Sequence, residues 1–349
     1  WMKLNLVALI IVLAYLSSYA QDKALSPKIP TIKIEVIPME GASIRAIEAQ
    51  PDSSVFYASS NGYIGFIRFS NTIEQTGPIR YDTIIPHFRA VASNGKNHYA
   101  LSVANPALLY QLGPNGLKLV YTEVNPDVFY DSMTFFDENN GIAMGDPING
   151  CLSVIITHDG GTTWEKLPCS KLPVITPGEA AFAASNTNIA TADKHAWLVT
   201  GGKRARVFHT PDMGQSWEVI ETPIIEGGQM TGIYSVDFQD SMNGIIFGGD
   251  WNDKARNTGN KAITRDGGKS WQLVADGKEP GYRSCVQYIP ETNGKELVSV
   301  GVTGISYSND GGLSWEKLSD DGFYTIRFVN KNLAWLAGNN KIAKLIINE

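Results

Sequence analysis

Residues Ser308–Leu318 read SNDGGLSWEKL, and the chain writes nearly the same phrase three more times. The copies are THDGGTTWEKL from Thr157, TPDMGQSWEVI from Thr210 and TRDGGKSWQLV from Thr264, all fitting Ser/Thr-x-Asp-x-Gly-x-x-Trp. Their tryptophans, Trp164, Trp217, Trp271 and Trp315, stand 53, 54 and 44 residues apart, which is a repeat protein's period. The residue types explain themselves. Asp159, Asp212, Asp266 and Asp310 can fold a carboxylate back onto turn amides, and Gly161, Gly214, Gly268 and Gly312 supply the positive φ that other residues resist. Each Trp opens the next strand and offers an apolar plate to a neighbouring unit. Turn chemistry accounts for every fixed position, so the four acids are read as architecture rather than as metal or acid-base sites.

A second phrase recurs between these turns: MTFFDENNGIAMGDP from Met133, VDFQDSMNGIIFGGD from Val236, RFVNKNLAWLAGNN from Arg327 and, more loosely, AAFAASNTNIATADKHAWLVTGG from Ala180. Each copy supplies two inner strands and each repeated turn joins two outer ones, so a unit of about 40–50 residues holds four antiparallel strands, the size of a propeller blade. The earlier segments from Ile44 and Phe88 keep the rhythm without intact turns, their outer strands expected near Ile79–Ile85 and Leu117–Val124. Units then begin near residues 43, 87, 131, 179, 233, 282 and 323. The expectation is an all-β, seven-bladed propeller over residues 31–349. The last unit has three strands, and Thr31–Ile37 is the available fourth that would close the ring.

The amino terminus is set apart. Lys3 precedes an apolar run from Leu4 to Leu16, the small residues Ser18 and Ala20 follow, and then polar QDK. Residues 1–20 are expected to be a secretory signal peptide starting at Met2 and cut after Ala20, an uncleaved anchor being the alternative; residues 21–30 form a linker. The protein is therefore expected to be exported, periplasmic or secreted, with no membrane anchor after cleavage. Residues 1–20 hold one Lys and no acid, leaving 28 basic against 35 acidic side chains, net −7, which argues against nucleic acid as a partner. Cys151 and Cys169 flank the first repeated turn almost opposite one another, and export favours a cross-strand disulfide between them over two free thiols. Cys285 has no evident partner.

Aligning the first strand of each blade on its closing turn gives one residue per blade near the channel mouth: Arg45, Arg89, Ser132, Ala181, Ser235, Arg283 and Arg327. Blades six, seven, one and two are consecutive around a ring, so four arginines would share one arc. Asp131 and Glu179 fall on the neighbouring arc. Connections from second to third strands share that face and carry Asp146, Lys203, Arg204, Asp250 and Trp251. Guanidinium groups suit carboxylate or phosphate recognition, although four solvated or ion-paired arginines would need no ligand.

The repeated turns, the strand starts IRAI and FRAV, and GDPINGCLSVIITHDGGTTWEKLPC together resemble the photosystem II stability/assembly factor-like propellers, many of which carry the label "oxidoreductase" outside phototrophs. The likeness spans essentially the whole chain after residue 20. The turns themselves are the Asp boxes (BNR repeats) shared with sialidase and sortilin-type propellers. The resemblance implies a non-catalytic assembly factor that binds its client through an arginine-rich surface, with Arg45, Arg89, Arg283 and Arg327 in the matching positions. The partner expected at such a basic funnel is an acidic protein, peptide or glycan; no cofactor is expected, and the protein is expected to be a monomer. A sialidase-like glycoside hydrolase is the alternative, with Asp131, Asp146 and Asp250 as candidate acids. The Phe/Tyr-Arg-Ile-Pro strand of sialidases is absent, however, and FRAV at Phe88 departs at both last positions. An oxidoreductase would need a cofactor site. No glycine fingerprint or Cys-x-x-Cys is present, and His87, His98, His158, His195 and His209 are scattered.

Overall fold

The computed structural model describes residues 29–348; the expected signal peptide and most of the linker lie outside the described residues. Seven antiparallel sheets follow one another along the chain. Their innermost strands are Ala46–Ala49, Phe88–Ser93, Tyr130–Phe135, Ile189–Ala192, Thr231–Phe238, Cys285–Tyr288 and Thr325–Asn330, and each touches the next, the last returning to the first. The result is a seven-bladed β-propeller. In the seventh blade, Thr31–Ser43 pairs with the chain-terminal strand Leu333–Asn348, so the ring closes by the pairing expected of Thr31–Ile37. Ile32 and Ile34 pack beside that blade's core, and Lys344 holds Glu35 at 2.9 Å across the closure.

The repeated turn shows why its residues are fixed. Thr264 Oγ1 accepts the Gly268 N–H at 2.9 Å and donates to Asp266, whose carboxylate also takes the Ser270 N–H at 3.0 Å and the Ser270 hydroxyl at 2.5 Å. Gly268 has φ +85°, and a Cβ there would meet the Trp197 indole at 2.7 Å. The turns at Asp159, Asp212 and Asp310 repeat this pattern. Trp164 and Trp315 are buried in inter-blade cores and Trp217 and Trp271 pack against them part-buried. Burial of apolar faces between successive blades is the main stabilising term.

Three expectations need correction. The outer strand of blade one is Ile73–Gln75, and only a Tyr81–Ile84 bridge remains of the strand expected at Ile79–Ile85. Cys151 and Cys169 are bridged, with Cα atoms 5.5 Å apart, but Cys169 sits on a short 3-10 turn rather than on a strand, because the outer strand ends at Lys166. Blade four starts its inner strand at Ile189, not near residue 179. Glu179–Ala180 instead pairs with Gly201–Gly202, and residues 181–188 lie outside any strand, Asn188 alone keeping a bond to blade four through the Val199 N–H at 2.9 Å.

Candidate functional site

The displaced segment 181–188 runs through the central channel and is bonded to all six other blades. Arg45 of blade one donates to the Ala184 carbonyl at 3.3 Å, and Arg89 of blade two to the Ala183 carbonyl at 3.4 Å. Asn186 bridges blades two and three: its Nδ2 donates to the Val91 carbonyl at 2.8 Å and its Oδ1 accepts the Met133 N–H at 2.9 Å. In blade five the Val236 N–H donates to the Thr187 carbonyl at 2.8 Å. Ser185 Oγ donates to the Ser284 carbonyl of blade six at 2.6 Å, and Thr325 Oγ1 of blade seven donates to the Ser185 carbonyl at 2.9 Å. A segment so held is a floor, and it divides the channel into two mouths. Its main chain supplies acceptors to cations and donors to acids, since the Ala181 N–H also reaches Asp146 at 3.0 Å.

One mouth is a pocket of about 230 Å³ whose floor is Ala181–Ala184. Arg45 and Arg89 enter it from blades one and two. Phe182 stacks on Tyr234 with ring centres 4.1 Å apart, Tyr282 meets Tyr234 edge-on at 4.8 Å, and Trp251 meets Tyr282 edge-on at 5.4 Å, giving an aromatic wall. Arg45 lies over the Tyr324 ring at 4.0 Å. Arginines 68, 204 and 206 form ion pairs; neither Arg45 nor Arg89 has a carboxylate oxygen within 4.0 Å among the described residues. Burial, then the Arg45 charge, lowers the Arg89 pKa, and burial beside both arginines pushes His87 down to about 4, leaving it neutral as acceptor of the Arg89 Nε–H at 3.3 Å. The pocket thus holds two adjacent positive charges with no acid in ion-pair contact, the buried Asp131 of blade three acting on Arg89 from beyond 4.0 Å.

The predicted arginine arc is half realised, and the reason is register. In six blades a backbone N–H at the start of the inner strand bonds to the preceding blade: Ile44, Phe88, Tyr130, Ile233, Arg283 and Phe323. All six are buried between blades. The next residue in each faces the channel: Arg45, Arg89, Asp131, Tyr234, Ser284 and Tyr324. Alignment on the closing turn therefore slipped by one residue at Ser132, Ser235 and Arg283, and a one-residue slip turns a side chain to the other face. Arg283 lies between blades and does not join the pocket. Arg327 sits deeper, beneath the floor, where its Nη2 donates to the Asn186 carbonyl at 3.0 Å. It lines the other mouth, a cavity of about 530 Å³, together with Glu48 and Asp237. Burial raises both carboxyls there, Asp237 to about 7.

Of the loop residues, Trp251 lines the pocket, while Lys203 and Arg204 do not, and Arg204 pairs with Glu221 and Glu226. None of Asp131, Asp146 and Asp250 lines it either. Asp131 is wholly buried, and burial and the nearby Asp146 hold its carboxyl well above the usual range. Burial raises Asp146 to about 6 despite the Ala181 N–H, and Asp250 accepts the Asn252 N–H of its own loop at 2.8 Å. Phe182, Met230, Tyr234 and Tyr282 escaped the sequence reading; the only trace was the poor fit of the blade-four copy.

No family model and no curated protein sequence matches the chain. Solved structures do. A structure of YCF48 bound to a D1 peptide superposes with TM-score 0.63 at 15% identity, over 92% of this chain and 100% of that one. The WD40 repeats of RRP9 give 0.65 at 11%, over 92% and 99%. Virginiamycin B lyase from Staphylococcus aureus gives 0.65 at 13%, over 90% and 99%. A peptide-bound protein, a WD40 domain and a lyase share this ring, so the likeness establishes the β-propeller fold and leaves function to the site.

Proposed function

We propose that the chain is an exported, non-catalytic binding or assembly module that takes an acidic, partly apolar segment of a protein or peptide into the Arg45/Arg89 pocket. The observation that carries this reading is the pair of adjacent guanidinium groups with no acid in ion-pair contact, set against a wall of Phe182, Tyr234, Tyr282 and Trp251. Cations beside aromatic faces suit a carboxylate next to an apolar side chain. The floor lends support, because the same arginines already hold a peptide main chain by its carbonyl oxygens. The YCF48 structure, similar in fold, carries a peptide. The repeated turns, read as Asp boxes, belong in this view to the scaffold. The glycosidase reading receives no support from the pocket, since none of the three candidate acids lines it.

The test is an array of short peptides of graded charge, probed with the mature protein and with the Arg45→Ala/Arg89→Ala variant, followed by fluorescence anisotropy on the hits. Acid-bearing peptides with an apolar or aromatic neighbour should bind, with at least tenfold weaker binding to a still-folded double variant. Equal binding by parent and variant, or no peptide bound, would sink the proposal and move the search to acidic glycans.

A further inference from the structure

Arg283 occupies a position that five other blades fill with Ile44, Phe88, Tyr130, Ile233 and Phe323. A guanidinium that is 4% exposed where the repeat asks for a hydrophobe is costly unless something compensates its charge. Its Nη1 donates to the Tyr282 carbonyl at 2.9 Å and to Thr303 Oγ1 at 2.6 Å, and its Nη2 to Ser306 Oγ at 2.9 Å. All three partners are neutral, and Nε has none. Among the described residues Arg283 has no ion pair; Glu279 stands near enough to oppose burial's lowering of its pKa, but spends Oε2 on the Gly281 N–H at 3.2 Å.

Arg283, Thr303 and Ser306 line a cleft of about 510 Å³ between blades five and six, with Lys254, Glu279 and Lys317 at its sides. Behind the Pro280 wall lies a second buried base: Lys261 is fully buried, its amine donates to Asn260 Oδ1, the Lys278 carbonyl and the Pro280 carbonyl with no carboxylate among its hydrogen-bond partners, and burial lowers its pKa to about 8 although Asp276 and Glu279 oppose the fall. Lys254 is held by the Trp251 carbonyl at 2.8 Å, and Lys317 pairs with Asp320. Thr303 and Ser306 accept from the guanidinium, which leaves each hydroxyl proton to give. Four basic side chains, Lys254, Lys261, Arg283 and Lys317, thus stand against three acids, Asp276, Glu279 and Asp320, in and around this cleft of a net-acidic protein.

We propose that the cleft between blades five and six is an anion-binding site, separate from the Arg45/Arg89 pocket, that takes a compact oxyanion, either free or as the acidic group of a larger ligand. The anion sits against Arg283 and the two hydroxyls, with Lys254 and Lys317 closing over it. The repeat's departure at Arg283 then has a function: it places a charge where the fold elsewhere places packing.

The test titrates inorganic phosphate, sulfate and acetate into the mature 15N-labelled protein at constant ionic strength and follows amide shifts. Saturable shifts at Gly281, Thr303 and Ser306 are expected. They should weaken at least tenfold in Thr303→Val and in Lys254→Ala/Lys317→Ala, both of which spare Arg283, and stay within twofold in Arg45→Ala/Arg89→Ala. A tighter response to phosphate or sulfate assigns tetrahedral oxyanions, and an equal one to acetate assigns carboxylates; both support the site. No saturable shift, unchanged affinity in the Thr303 and lysine variants, or loss in the Arg45/Arg89 variant alone would overturn it.

Discussion

The carbonyl of Asn186 accepts a hydrogen bond from Arg327 Nη2 at 3.0 Å, so a side chain of blade seven holds a loop that starts in blade four. The Asn186 side chain extends the same function to blades two and three through Val91 and Met133. The floor of the pocket is therefore also a tie across the ring.

Asn186→Ala removes a donor and an acceptor at a fully interior site and leaves the Val91 carbonyl and Met133 N–H unpaired. Loss of about 3 kcal/mol is expected from two such groups. Asn186 also has φ +61°, a conformation that asparagine and glycine accept more readily than alanine. Alanine adds that strain to the loss and glycine does not, so Asn186→Gly should be roughly 1 kcal/mol more stable than Asn186→Ala. Urea unfolding of the three proteins checks both numbers; an alanine variant as stable as the parent would show that the floor is not a tie.

The pH dependence should carry two opposed signatures. In the repeated turns burial opposes ionisation, yet the Ser270 hydroxyl and amide and the Thr264 hydroxyl outweigh it and hold Asp266 below the usual carboxylate range; Asp212 behaves alike. Such groups contribute stability that is present above the unfolded value and is lost as pH falls through the folded one. Asp146 and Asp237 are the reverse: burial raises them to about 6 and about 7. The folded state then binds more protons than the unfolded between pH 4 and 7, and stability declines as pH rises across that window. Asp146→Asn and Asp237→Asn should each flatten the decline, by on the order of 2 kcal/mol between pH 4 and 7. Unfolding curves over a pH series measure it.

The disulfide joins the start of blade three's third strand to the 3-10 turn after its fourth, a sequence separation of 18. Reduction, or Cys151→Ser/Cys169→Ser, should cost about 3 kcal/mol by freeing that loop in the unfolded chain. Peptide binding at Arg45 and Arg89 should be unchanged, because the bridge lines neither mouth. Comparing melting temperature and anisotropy with and without reductant separates the two readouts.

What the sequence made legible was local. The repeated turn fixes itself through contacts within seven residues, so its Thr, Asp, Gly and Trp announced both the hairpin and the period. Arg45 and Arg89 were legible because their closing turns kept step with their strands. Arg283 was misplaced because Cys285–Tyr288 begins later, and the one-residue difference left no local mark. Segment 181–188 was invisible for a deeper reason. Its residues, Ala-Phe-Ala-Ala-Ser-Asn-Thr-Asn, are mostly poor strand formers but name no other structure, and every bond that pulls them into the channel comes from another blade.

The ring closure gives the last prediction. The strand Thr31–Ser43 covers the edge of the chain-terminal strand, and Lys344, only 5% exposed, is bonded to Glu35 and to the Phe69 carbonyl at 3.1 Å. A chain starting at Pro38 loses Ile32, Ile34 and Glu35, uncovers blade seven's apolar face and leaves a long edge strand with unpaired backbone groups, which invites pairing between copies. A lower melting temperature and concentration-dependent association in sedimentation are expected. Adding a synthetic peptide of residues 31–37 should raise the melting temperature and suppress association, because it restores the missing edge without a covalent link. Truncation without either effect would mean that the ring holds through its inter-blade cores alone.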